Sequence, residues 1–280
     1  MIEEVSVVSI ESHFKFQRIK KLISDCLKID LNASEQEVNQ LLSKKNESTG
    51  ILDLRLNSDL MLEIEWNIVE ILEDLKLVEY AAMQFPANVR ILNNAPKEAD
   101  VGAYRTTHLH CDSWSGAPQD TLNLFFGIFV SPGAPWLKMY RTFPKHHPAY
   151  RYVGAYQEAP VDENELTEVP VPRESGTLVL WPTQTPHKTD MSSPNNSDKE
   201  AWRISIDIRV RSKSPYATES ELELNNFAQS KMNSMGVYWS KPRTRFLTIQ
   251  EKIDLEQIEV AKFSSSAQDA RKDYISRYYA

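Results

Sequence analysis

The segment Thr107-His108-Leu109-His110-Cys111-Asp112 sets two imidazoles and a carboxylate within five consecutive positions, from His108 to Asp112. In an extended chain, residues two apart point to the same side, so His110 and Asp112 can converge on one metal ion. His108 shares that parity, which leaves two candidate donors beside Asp112; a His-X-Asp pair at a strand end favours His110. A third ligand must come from elsewhere, and His187 closes the run Gly176-Thr-Leu-Val-Leu-Trp-Pro-Thr-Gln-Thr-Pro-His187. A Gly-led apolar strand ending in a Pro-rich turn delivers that imidazole to a barrel mouth. Two imidazoles and one carboxylate on one face of an ion leave its other positions open, which suits non-haem iron(II) and gives O₂ and a bidentate co-substrate room to bind.

The strand Trp202-Arg-Ile-Ser-Ile-Asp-Ile-Arg-Val210 alternates polar and aliphatic residues from Arg203 onward. Arg203, Ser205, Asp207 and Arg209 therefore share one face, and Ile204, Ile206, Ile208 and Val210 the other. An Arg with a hydroxyl two residues on is a clamp for a carboxylate, because the guanidinium fork binds both oxygens and the hydroxyl adds a donor. Thr121 and Asn123 share a face of an earlier strand, where an inward amide can hold a co-substrate or simply satisfy the barrel interior. Tyr104, Arg105 and Trp114 flank the His-X-Asp pair and are candidates for the substrate-facing wall. Arg209 is expected in a salt bridge with a neighbouring strand, with Asp207 on its own side. Cys111 points away from the pair and is expected to pack, His13 marks a helix start, and His146 and His147 sit in a solvated turn.

These residues need a scaffold, and the chain changes character twice. From Ser12 to Lys45, apolar residues at three- and four-residue intervals predict two helices around a cap at 32–35, and the run from Leu60 to Val78, free of Gly and Pro, predicts a third. From Tyr80 to Val210, short runs rich in Val, Ile, Phe, Tyr, Trp and Thr, broken by Pro and Gly, predict a β sandwich or barrel. The expected strands are 81–85, 89–92, 105–110, 121–129, 136–140, 176–181 and 202–210, with a polar loop at 192–200. Helical spacing returns at 219–235 and 250–262. The expected architecture is mainly β with flanking helices: a single domain over 1–280, with a helical part at 1–79, a jelly-roll, cupin-like core at 80–210 and a helical extension at 211–280.

Composition narrows the partners. Hydrophobic residues at 41% and charged residues at 25% fit a folded globular chain. A net charge of -7 lacks the basic footprint that nucleic-acid binding needs, so the expected partner is a small molecule. Two cysteines are too few for a disulfide framework or a thiolate zinc site. With an acidic N-terminus and no apolar run long enough to span a bilayer, the expected location is cytoplasmic, with no membrane partner. The sequence leaves the oligomeric state open.

The pieces His110-Cys-Asp112, the strand and turn ending at His187, and Arg203-X-Ser205 resemble the iron(II)/2-oxoglutarate-dependent dioxygenases over about Ala81 to Val210. The resemblance implies a double-stranded β-helix. It implies that His110, Asp112 and His187 hold Fe(II), and that Arg203 with Ser205 binds the distal carboxylate of 2-oxoglutarate. The implied chemistry uses O₂ for oxidative decarboxylation of 2-oxoglutarate and attack on an unactivated C–H bond, with hydroxylation as the default. Phe85-Pro-Ala-Asn-Val-Arg-Ile91 and Thr121-Leu-Asn-Leu-Phe-Phe-Gly127 are similar to the small-molecule hydroxylases of natural-product and sugar pathways, including the phytanoyl-CoA hydroxylase type. The sixteen-residue step from His187 to Arg203 is longer than in the family, which keeps Arg209 as a second candidate for the carboxylate. An Asp at 112 speaks against the related halogenases, which leave that site open for chloride. Two rival classes share parts of this pattern: a cupin-like metal-dependent isomerase or lyase without 2-oxoglutarate, and a non-catalytic β-barrel binding module.

Overall fold

The computed structural model describes residues 4–47, 58–76, 82–85, 87–94, 107–112, 121–141, 161–191, 200–211 and 245–247. Tyr104, Arg105, Trp114, His146, His147, the loop at 192–199 and the predicted helices at 219–235 and 250–262 lie outside the described residues. Three α-helices are described: α1 (Phe14–Leu27), α2 (Glu35–Glu47) and α3 (Ser58–Leu75). Each begins for a local reason where the caps are visible. His13 caps α1 by accepting from the Lys15 N–H at 3.2 Å, and Lys28 ends it in the left-handed conformation at φ 54. Ser34 Oγ accepts from the Glu37 N–H, and α2 carries Glu35 and Glu37 in its first turn with Lys44 and Lys45 in its last, matching the helix dipole.

The strands are β1 (Ser6–Ser9), β2 (Ala82–Phe85), β3 (Asn88–Asn93), β4 (Thr121–Val130), β5 (Trp136–Tyr140), β6 (Glu168–Val169), β7 (Thr177–Pro182), β8 (His187–Asp190), β9 (Trp202–Arg211) and β10 (Arg245–Leu247). They form two sheets in which the described pairs are antiparallel: a seven-stranded one in the order β1-β7-β4-β9-β2-β10, with β3 also on β9, and a three-stranded one in the order β6-β5-β8. β2, β3, β4, β5, β7 and β9 fall close to predicted strands, with 136–140 matching β5 at both ends, whereas β6 and β8 have no predicted counterpart.

Alternation along the strands divides the larger sheet into two faces. Leu122, Leu124 and Phe126 of β4, Leu178 and Leu180 of β7, and Ile204, Ile206, Ile208 and Val210 of β9 pack with Phe16, Ile19, Ile23, Ile64, Ile68 and Leu72 of the helices. Burying each such side chain contributes roughly 1.5–3 kcal/mol. On the other face, Phe125 of β4 with Val179 and Trp181 of β7 meets Trp136 and Met139 of β5, which joins the larger sheet to the smaller. Phe125 and Trp136 meet edge-on at 5.2 Å. Gly127 makes that approach possible, since a Cβ there would stand 2.9 Å from the Trp136 ring. Gly176 opens β7 at φ 77, donates to the Gly127 carbonyl and accepts from Ile10, and a Cβ on it would lie 2.6 Å from the backbone of Glu11.

Three features differ from expectation. The 1–79 stretch is not wholly helical: β1, built on Ser-Val-Val-Ser, pairs with β7 at the edge of the larger sheet. In the 211–280 extension, Arg211 ends β9 and Arg245–Leu247 is a strand paired with β2. Over 107–112 the chain makes an isolated bridge at His110 instead of a continuous strand. Among the described residues, no helix is long and apolar enough to cross a membrane.

Candidate metal centre

The bridge at His110 brings the predicted donors together. His110 donates its N–H to the His187 carbonyl at 3.0 Å, and His187 donates back to the His110 carbonyl at 2.9 Å. Directly opposed residues of an antiparallel pair carry their side chains to the same face, so the two imidazoles lie side by side, with ring centroids 4.3 Å apart and planes tilted by 52°. Asp112, two residues beyond His110, joins them from the same side. One donor atom from each of His110, Asp112 and His187 lies within 4.8 Å of the others, and all three residues are buried. The ring of His108 is not part of this group.

Hydrogen bonds select which ring nitrogens face the centre. His110 Nδ1 lies 2.7 Å from the His108 carbonyl, and His187 Nδ1 lies 2.9 Å from the Thr185 carbonyl. A carbonyl only accepts, so each Nδ1 carries a proton and Nε2 is the nitrogen left to face a metal. His108 thus matters through its main chain. Trp181 stands edge-on to the His187 ring at 5.3 Å and walls that side.

Electrostatics agree with the tautomers. Burial, and then the neighbouring His187, pushes the His110 imidazole down to about 3, against the opposing pull of Asp112. Burial would push the Asp112 carboxyl up, but Arg209 beside it, followed by His187 and His110, holds it down at about 2. Both groups shift downward because burial outweighs the attraction of Asp112 at His110, while Arg209 and the two imidazoles together outweigh burial at Asp112. The result is neutral imidazole beside carboxylate, the protonation states that bind a metal. Cys111 turns the other way, its Sγ 3.3 Å from the Gln184 carbonyl; burial, with Asp112 adding to it, raises its thiol well above the ordinary range, so it stays protonated.

The two arginines of β9 have different surroundings. Arg209 Nη2 lies 3.1 Å from Asp112 Oδ1, and its Nε donates to Asn123 Oδ1 at 2.8 Å. The salt bridge expected for Arg209 therefore runs to the metal-site carboxylate, while Asp207 pairs with Arg90 of β3. Parity placed these groups on one face but could not say which neighbours meet across strands. Arg203 is 2% exposed and, among the described residues, forms no salt bridge. Its Nη1 donates to the Pro135 carbonyl at 3.0 Å, and its guanidinium lies over Phe125 at 5.3 Å and Trp136 at 6.0 Å. Its Cα pairs with Val130 whereas Phe125 pairs with Asp207, so the side chain runs along β9 in the direction of Arg209. Burial pulls its guanidinium down to about 10, with Asp207 opposing.

The same interior holds buried polar atoms without hydrogen-bond partners among the described residues: Arg203 Nε, Ser205 Oγ, Asn123 Nδ2, Thr121 Oγ1 and Trp181 Nε1. An unsatisfied buried group costs about 1–3 kcal/mol, so several on one face call for polar partners. Nothing in the sequence reading singled out Trp181 or the Arg209–Asp112 contact. A strand-end Trp six residues before a candidate ligand was the available signal for the first.

Comparison with known proteins gives no matching family model and no match among curated proteins. Among solved structures, the chain is similar to the apo form of the non-heme monooxygenase ThoJ, with 11% identity over 77% of this chain and 88% of that one and a TM-score of 0.38. It is similar to the non-heme alpha ketoglutarate dependent carbocyclase SnoK from nogalamycin biosynthesis, with 13% identity over 74% and 80% and a TM-score of 0.37. A third is the epimerase SnoN in complex with Fe3+, alpha ketoglutarate and nogalamycin RO, with 12% identity over 79% and 84% and a TM-score of 0.40. At such low identity and TM-score these likenesses carry no argument for function.

Proposed function

We propose that this chain is an iron(II)- and 2-oxoglutarate-dependent oxygenase acting on a small molecule, with hydroxylation its default reaction and a double-stranded β-helix its scaffold. The observation that carries the proposal is the buried His110–Asp112–His187 group, locked by a reciprocal backbone bridge and offering one donor from each residue. Two imidazoles and one carboxylate form the donor set suited to iron(II) with open positions. Two antiparallel sheets facing each other across Phe125, Trp136, Met139, Val179 and Trp181 support the scaffold.

The interior also fits 2-oxoglutarate. A buried guanidinium without a carboxylate partner costs several kcal/mol, which a bound carboxylate would offset. Arg203, with Ser205 two residues on, supplies that clamp; Asn123 Nδ2 and Thr121 Oγ1 are further donors on the adjacent strand β4. Between the two arginines, Arg203 is the better carboxylate anchor, because Arg209 is already engaged by Asp112 and Asn123. Tyr104, Arg105 and Trp114 are proposed to face the substrate. When bound, iron with 2-oxoglutarate and O₂ would supply the oxidising power for a C–H bond. The chain's own contribution is placement: carbonyls fix two imidazole tautomers, aromatic walls exclude water, and Arg203 orients the co-substrate.

Iron-loaded protein incubated in air with 2-oxoglutarate is expected to release succinate slowly, and faster when a true substrate is added. His187→Ala and Asp112→Ala are each expected to bring succinate release to background and to abolish stoichiometric metal binding. Succinate formation that survives His187→Ala at the wild-type rate would rule the proposal out.

A further inference from the structure

We propose that Arg209, seated on Asn123, is a positioning residue that makes Asp112 a one-oxygen metal ligand. This rests on the metal-site reading above and assigns a role to a residue outside the ligand set. The β4–β9 register places Asn123 directly opposite Arg209, so the arginine's support comes from its cross-strand neighbour. Nε is held by Asn123 Oδ1 at 2.8 Å, which sets the plane of the guanidinium and aims Nη2 at Asp112 Oδ1, 3.1 Å away. The side chains are 16% and 4% exposed, so water competes little for either end.

The consequence concerns the count of coordination positions. With Oδ1 taken by Arg209, Asp112 offers a metal its other oxygen only. Together with the Nε2 atoms of His110 and His187, that fills three positions of an octahedral ion and leaves three. A 2-oxo acid chelating through two atoms needs two of these, and O₂ needs the last. A carboxylate binding through both oxygens would fill a fourth position, and chelate and O₂ could no longer be held together. Because the guanidinium is planar and anchored at two points, a lysine ammonium in its place could keep the charge but not span Asn123 and Asp112.

The test uses the full-length protein loaded with Co(II), whose visible spectrum and X-ray absorption report coordination without turnover. Wild type should bind one Co(II), with a carboxylate bound through one oxygen. Arg209→Met should keep its circular dichroism and bind Co(II) within about tenfold of wild type, yet draw the carboxylate carbon closer to the metal. It should also need at least about tenfold more 2-oxoglutarate for the co-substrate-induced spectral change. Arg209→Lys, the variant to judge by if the methionine form does not fold, should show the same direction at about three- to tenfold. Wild-type coordination and titration in either folded variant would overturn the assignment. So would a loss of Co(II) affinity well beyond tenfold, or weakened 2-oxoglutarate binding with unchanged cobalt coordination, which would make Arg209 a direct co-substrate contact. Failure of wild type to bind Co(II) at all would instead remove the metal-site reading on which this one stands.

Discussion

The two faces of the larger sheet are made by alternate residues of the same strands, yet they obey opposite rules. On the helix-facing side, Leu122, Leu124, Phe126, Ile204, Ile206 and Ile208 are essentially fully buried and purely apolar. On the inner side, one residue away along the chain, Thr121, Asn123, Arg203 and Ser205 are just as buried but carry polar atoms without partners. A protein folding for stability alone would not collect such groups. The comparison separates a face that holds the fold together from one that tolerates a local cost, as the proposed co-substrate site requires.

The largest effect expected from breaking this division is on the apolar face. Ile206→Ala should destabilise the protein by about 2–5 kcal/mol, seen as a lower denaturation midpoint, while metal stoichiometry per folded molecule stays unchanged. If metal binding fell with it, the two faces would not be separable.

A pH titration of the metal-free protein probes the inner face. Folded His110 takes up a proton only near pH 3, whereas unfolded it does so near 6.5, so between those values the unfolded state binds more protons. Stability should therefore fall as pH drops from about 6.5, by up to about 1.4 kcal/mol per unit. Asp112, held at about 2, contributes stability above its unfolded value of about 3.9 that is lost below it. A bound metal competes with protons for the imidazoles, so the metal-loaded protein should lose stability at least as steeply over this range. Stability that is level from pH 6.5 to 4 would mean that His110 is not held neutral.

The smallest effect has the opposite sign. Ser205→Ala removes a buried hydroxyl with no partner, so stability should hold or rise by about 1 kcal/mol while the KM for 2-oxoglutarate rises several-fold. Destabilisation with an unchanged KM would place Ser205 among the structural residues.

Much of this division could be read from spacing. The alternation in Trp202–Arg211 assigned each side chain to a face, and the His-X-Asp pair, the Gly-led strand and the distant imidazole named the three residues that the fold brings together. Pairing across strands could not be read in this way. Parity put Asp207 beside Arg209, but register gave Asp207 to Arg90 and Arg209 to Asn123 and Asp112. The short strand β1 was hidden because four residues at the start of a helix-rich stretch acquire their identity only from β7 beside them. Likewise, the strand character of β8 comes from its partner β5, while the sequence before it reads as a turn.

The reciprocal bridge between His110 and His187 has a thermodynamic corollary. Main-chain bonds already hold these two residues in register, so an arriving ion has little chain entropy left to remove. The centre should then be a finished receptor before any ion binds, unlike small metal-dependent domains that acquire their fold only when loaded. One ion could be exchanged for another without passing through an unfolded chain.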